Sequence, residues 1–128
     1  MARIRNRPEQ KLQQEIGQYL DFALPKDAFW FAVPNAARRG VVEAMNFKRM
    51  GMKAGIPDIV IIHCGLAFAC EIKTGKGKLS PAQVLMHYRL ARAGMRVAVC
   101  RSIEDVETAL VGWAFPLAAR FRRAPKAA

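Results

Sequence analysis

Between Pro57 and Thr74 the chain runs Asp58, Ile59-Val60-Ile61-Ile62, His63, Cys64-Gly65, Leu66-Ala67-Phe68-Ala69-Cys70 and then Glu71-Ile72-Lys73. Two short β-prone runs around a two-residue break that contains glycine predict a β-hairpin. With Cys64 and Gly65 as the turn, His63 pairs with Leu66, and counting outward sets Asp58 directly across from Glu71. Side chains alternate along a strand, so Glu71 and Lys73 project from one face. Residues paired in this way hold their Cβ atoms about 4.5–5.5 Å apart. Two carboxylates and an ammonium therefore converge on one patch of sheet. That donor set suits a hard divalent cation with a water beside it.

The charge balance sharpens this reading. Twenty-one Lys and Arg stand against ten Asp and Glu, a net charge of +11. Such an excess fits a polyanionic partner, because neutralising phosphates releases counterions. Carboxylates facing a polyanion repel it unless a cation intervenes, so a purely binding role leaves Asp58 and Glu71 unexplained. At 128 residues the chain has room for one domain and one core. No apolar run approaches the roughly 20 residues of a membrane span, so no membrane partner is expected. The N-terminus, Met1-Ala2-Arg3-Ile4-Arg5, lacks the apolar segment of a secretory signal. Cys64, Cys70 and Cys100 form no C-x-x-C pair and read as free thiols of a reducing cytoplasm.

Elsewhere the pattern predicts elements in the order α-β-β-β-α-β-α. Residues 1–7 form a basic arm, and Pro8 opens a helix whose apolar stripe is Leu12, Ile16, Tyr19, Leu20 and Ala23. Ala28 to Val33 is an aromatic-rich strand stopped by Pro34. Residues 34–57 are the least regular, with a possible short helix from Val41 to Met50; Arg38, Arg39, Lys48, Arg49 and Lys53 make them a basic loop around a cleft. After the hairpin comes Thr74-Gly75-Lys76-Gly77-Lys78, which lacks the P-loop spacing and offers Lys76 and Lys78 to phosphates. Ser80-Pro81-Ala82-Gln83 has the form of a capping box, opening a helix that ends at Gly94. Arg96 to Arg101 is a strand, parallel to the hairpin's second strand if the helix is a crossover. Ser102 caps a last helix that fades near Trp113. The domain is thus expected over 8–114, with a basic tail over 115–128. His63 and His87 have no zinc-like partner spacing and read as structural.

Asp58, Glu71-Ile72-Lys73 and Gln83 resemble the PD-(D/E)XK nuclease pattern. Lys53-Ala54-Gly55-Ile56-Pro57-Asp58, Glu71-Ile72-Lys73-Thr74 and Leu79-Ser80-Pro81-Ala82-Gln83, in this order, resemble the VRR-NUC family more closely, over about Glu15 to Val111. The resemblance implies a restriction-endonuclease-like α/β fold, a small mixed sheet flanked by helices. It implies a Mg2+- or Mn2+-dependent DNA endonuclease, similar to Holliday-junction resolvases, that acts on branched DNA as a homodimer. Asp58 and Glu71 would ligate the metal with the backbone carbonyl of Ile72. Lys73 would orient or deprotonate the attacking water. Glu15 matches an upstream acidic position that can support the metal, and Gln83 a polar position on the following helix. On the residues alone Glu15 reads equally as a solvated glutamate and Gln83 as a helix cap. Two rivals stand beside this reading: a sequence-specific restriction-type nuclease, and a catalytically silent basic DNA-binding module.

Overall fold

The structure is a computed structural model that describes residues 7–34 and 41–121. Helix α1 (Arg7–Ala23) leads into strand β1 (Ala28–Ala32), and α2 (Val41–Arg49) precedes the hairpin of β2 (Ile59–His63) and β3 (Leu66–Ile72). Helix α3 (Pro81–Arg92), strand β4 (Arg96–Cys100) and helix α4 (Ile103–Gly112) complete the order. The four strands form one sheet in sequence order, with β1–β2 and β2–β3 antiparallel and β3–β4 parallel. This is the small mixed sheet flanked by helices that the sequence predicts, with α2 as the short helix inside the irregular stretch.

The hairpin register is the one obtained by counting. His63 pairs with Leu66 and Ile59 with Cys70, so the next step outward sets Asp58 against Glu71. Cys64 and Gly65 take φ values of 51° and 76°. Left-handed backbone at both positions is what a two-residue turn matched to strand twist needs. Alternation then sorts the sheet into two faces. Ile59, Ile61, Phe68, Cys70, Ile72 and Cys100 point one way and are buried against Ile16, Tyr19 and Leu20 of α1 and Val106 and Leu110 of α4. The opposite face carries the other alternating set, Val60, Ile62, Ala67, Ala69 and Glu71.

Helix α3 starts at a complete capping box: Ser80 Oγ accepts from the Gln83 amide at 3.2 Å, and Gln83 Oε1 accepts from the Ser80 amide at 2.9 Å. The helix packs on β4, and its half-buried residues Gln83, Met86, His87 and Leu90 form an i, i+3, i+4, i+7 stripe.

The packed body extends beyond the boundary expected at 114. Phe115 is buried against Phe68 and His63, with ring centroids at 5.1 and 5.2 Å. The Ala118 amide donates to the Ala23 carbonyl at 2.7 Å, and Phe121 meets Tyr19 edge to face. Glu107 of α4 gathers this segment, accepting from the Tyr19 hydroxyl at 2.6 Å and the Phe121 amide at 2.7 Å and pairing with Arg120 at 3.0 Å. Phe115, Leu117 and Phe121 follow no helical or strand period, so pattern alone did not separate them from a tail. Residues 1–6 of the arm and 122–128 of the tail lie outside the described residues.

Candidate active site

Glu71 is the one polar residue in the buried set among the described residues, 1% exposed. It is the penultimate residue of β3, at the edge of the core beside Asp58, and its carboxyl is pushed up from 4.5 to about 9. Burial is the largest cause, followed by a hydrogen bond with Asp58 and the Asp58 charge. Lys73 opposes the shift and Glu9 adds to it. Two carboxyls so placed stay together through a shared proton or a cation between them. A pair of carboxylate oxygens in a confined spot beside an ammonium is a donor set that fits a hard divalent cation.

Asp58 is fixed from two sides. Its Oδ2 accepts from the Ile72 amide at 2.7 Å, and its backbone carbonyl accepts from the Val33 amide at 2.8 Å. The acid thus links the end of β1 to the end of β3, and Ile72 holds it through N–H. Lys73 is half-buried, with its amide donating to the Cys100 carbonyl at 3.1 Å. Its side chain reaches the loop that follows: a Cβ added at Gly77 would lie 3.7 Å from Lys73 Cδ. That loop is held in shape by Arg101, whose guanidinium donates to the carbonyls of Gly75 at 3.2 Å and Gly77 at 2.7 Å.

His87 belongs to the site. Its Nε2 lies 3.2 Å from Glu71 Oε1, and burial together with Lys73 pulls its pKa down, so the ring is neutral near pH 7. Reading His87 as structural overlooked one signal: it stands four residues after Gln83, on the same face of α3. Glu15 is exposed, whereas Glu9, half-buried in the first turn of α1, is the acid that acts on Glu71. Glu9 stands three residues before Leu12 and seven before Ile16, and Glu15 three after Leu12 and four before Tyr19, so both border the apolar stripe, with Glu9 the more buried. The Gln83 side chain is occupied by the cap and also lines the cavity beside Asp58.

That cavity, about 580 Å³, runs between the 47–56 segment and the start of α3, with Asp58 at its wall. Phe47, Met52 and Ile56 make it apolar, and Lys48 and Lys53 add charge. Gly55 makes the closure possible. It holds φ at 79°, and a Cβ there would meet the Ala82 carbonyl oxygen at 2.4 Å. Arg49, Lys76 and Lys78 are exposed, and Arg38 and Arg39 lie outside the described residues.

The VRR-NUC domain family matches residues 2–104 of the chain. The chain belongs to the VRR-NUC family. This VRR-NUC domain is similar to a solved VRR_NUC domain protein at 27% identity, covering 83% of this chain and 87% of that one, with a TM-score of 0.66. A second solved VRR_NUC domain, at 20% identity and a TM-score of 0.55, covers 82% of this chain and 95% of its own and shares the fold. No curated protein matches the chain. The family is generally nuclease-type.

Proposed function

We propose that this VRR-NUC domain is a Mg2+- or Mn2+-dependent DNA endonuclease that hydrolyses phosphodiester bonds in branched DNA and works as a homodimer. The observation that carries the reading is the hydrogen-bonded meeting of the Asp58 and buried Glu71 carboxyls beside Lys73, inside a chain of net charge +11. A divalent cation held there supplies Lewis-acid polarisation of the phosphate and lowers the pKa of a bound water. Asp58 and Glu71 would hold it with the Ile72 carbonyl, and Glu15 or the half-buried Glu9 would support the cation or its water from α1. Lys73 places positive charge where charge develops on the attacked phosphate, or takes the proton of the attacking water. His87 braces the Glu71 carboxylate rather than touching the substrate. Lys48, Arg49, Lys53, Lys76 and Lys78, with Arg38 and Arg39, grip phosphates without reading bases.

Support for a second copy comes from the sheet. Phe29 and Ile62 are 67% and 40% exposed on the face away from the core, and Phe31 joins them at 40%. The register stacks Phe29 beside Ile62 and Ile62 beside Ala67, so they form one apolar strip.

The test is cleavage of labelled four-way junction, flap, single-stranded and linear duplex DNA, with Mg2+ or Mn2+ against EDTA, by wild type and Glu71→Ala. Metal-dependent cutting of branched DNA that disappears in the variant is expected. Cutting of linear duplex at one sequence would favour a restriction-type enzyme. Tight binding with no cutting in either metal would leave a silent DNA-binding module.

A further inference from the structure

At the opposite end of β3 from Glu71, three donors of different chemistry converge. Asp27 in the turn after α1, His63 at the end of β2 and Cys64 in the hairpin turn each offer one atom, and all three atoms lie within 4.8 Å of one another. His63 Nε2 is 3.2 Å from Asp27 Oδ2 and 3.6 Å from Cys64 Sγ. The sheet builds this meeting, because Ala28 pairs with His63 and His63 with Leu66, which sets Asp27 beside the hairpin tip. The site is far from Glu71, since Leu66 stands five residues before it, about 17 Å along the strand.

Hydrogen bonding leaves the cluster incompletely matched. A carboxylate only accepts, so Nε2 must donate to Asp27, and the same nitrogen then offers no lone pair to the Cys64 thiol. A cation in place of that proton is met by all three donors at once. The two separations from His63 Nε2, 3.2 Å to Asp27 and 3.6 Å to Cys64, agree with this, while the Asp27 oxygen and the Cys64 sulfur lie within 4.8 Å of each other. Zinc bonds to N, O and thiolate S set tetrahedral edges of about 3.3 Å for N···O and about 3.6 Å for N···S. Nothing else in the fold calls for a thiol here: at φ 51° Cys64 occupies a position that suits glycine or asparagine.

We propose that Asp27, His63 and Cys64 form a three-ligand site for Zn2+ or a similarly thiophilic divalent cation, separate from the nuclease centre. The mixed imidazole, thiolate and carboxylate set selects against Mg2+ and Ca2+, which take all-oxygen ligands. Three protein ligands leave a fourth position for water. The cation would tie the hairpin tip to the turn that precedes β1.

The test uses the full chain, kept reduced, titrated with Co2+ as a spectroscopic stand-in for Zn2+. Wild type is expected to show a thiolate-to-cobalt charge-transfer band and intense visible bands of a four-coordinate ion, both bleached by Zn2+. Cys64→Gly removes the thiol and relieves the turn backbone, so the fold is retained and the charge-transfer band is lost. Asp27→Ala weakens Co2+ binding, and Asp58→Asn leaves the band unchanged, which separates this site from the catalytic one. Absence of the band in folded wild type would overturn the proposal. So would a band that survives Cys64→Gly, because the thiolate would then be Cys70 or Cys100.

Discussion

Glu71 lies almost entirely out of water yet next to another acid, and its titration follows from that position. Its carboxyl is raised from 4.5 to about 9, while a glutamate in the unfolded chain titrates near 4.3. Between those values the metal-free folded protein holds a proton that the unfolded chain has lost. The associated stability is complete below about pH 4.5 and declines as pH rises toward 9. Denaturation in EDTA should therefore show a midpoint that falls between about pH 6 and 8, and Glu71→Gln should flatten the dependence. A cation bound by Asp58 and Glu71 displaces that proton, so Mn2+ affinity should rise by up to about tenfold per pH unit over the same range. Calorimetric titration that finds an affinity independent of pH would refute the shared-proton account. Lys73 makes a different contribution. Lys73→Ala should lower single-turnover cleavage at least about a hundredfold while junction affinity barely changes. Equal loss of both would make Lys73 a binding residue. His87→Ala, which releases Glu71 without touching DNA, should weaken Mn2+ binding by about tenfold.

The elements explain why this site is partly legible in the sequence. A two-residue turn fixes hairpin register, so Asp58 could be paired with Glu71 by counting, and Ser80 with Gln83 announced the start of α3. Both rest on interactions within a few residues of each other in sequence or along one ladder. His87 is less visible because it reaches Glu71 from a helix, and which helix face meets which strand end is decided by tertiary packing. Docking of Phe121 depends on Tyr19, and that of Phe115 on His63 and Phe68, far away in sequence, for the same reason. Gly55 shows how such long-range contacts act on the site. Its left-handed φ of 79° and the 2.4 Å approach to Ala82 leave no room for a methyl group, whereas Gly51, at φ 99°, has open space around it. Gly51→Ala should then cost about 1 kcal/mol from backbone strain alone. Gly55→Ala should cost about 2 kcal/mol or more and also reduce cleavage, because the loop entering Asp58 is pushed off α3. Thermal melts and activity of the two variants side by side separate strain from the clash; equal effects on both would show that the Gly55 contact yields without consequence.

At the scale of the whole molecule, a charge of +11 works in two directions. It attracts DNA, and it repels a second copy of the same chain. A homodimer must therefore be held by apolar contact, and the strip of Phe29, Phe31 and Ile62 is the surface suited to that task. The two associations should respond oppositely to salt. Screening weakens phosphate contacts, with the logarithm of affinity falling in proportion to the logarithm of salt concentration. The same screening relieves repulsion between protomers while leaving apolar burial intact or strengthened. Sedimentation across a salt series should show a dimer that tightens as salt rises, while junction affinity falls. Phe29→Lys combined with Phe31→Lys should be monomeric at every salt concentration and retain wild-type far-ultraviolet circular dichroism, since both side chains are exposed and outside the core. Its junction products should shift from paired incisions toward single nicks, because one active site then acts without a tethered partner. A wild-type dimer that dissociates as salt rises would show that ion pairs hold it, and would move the interface away from this sheet face.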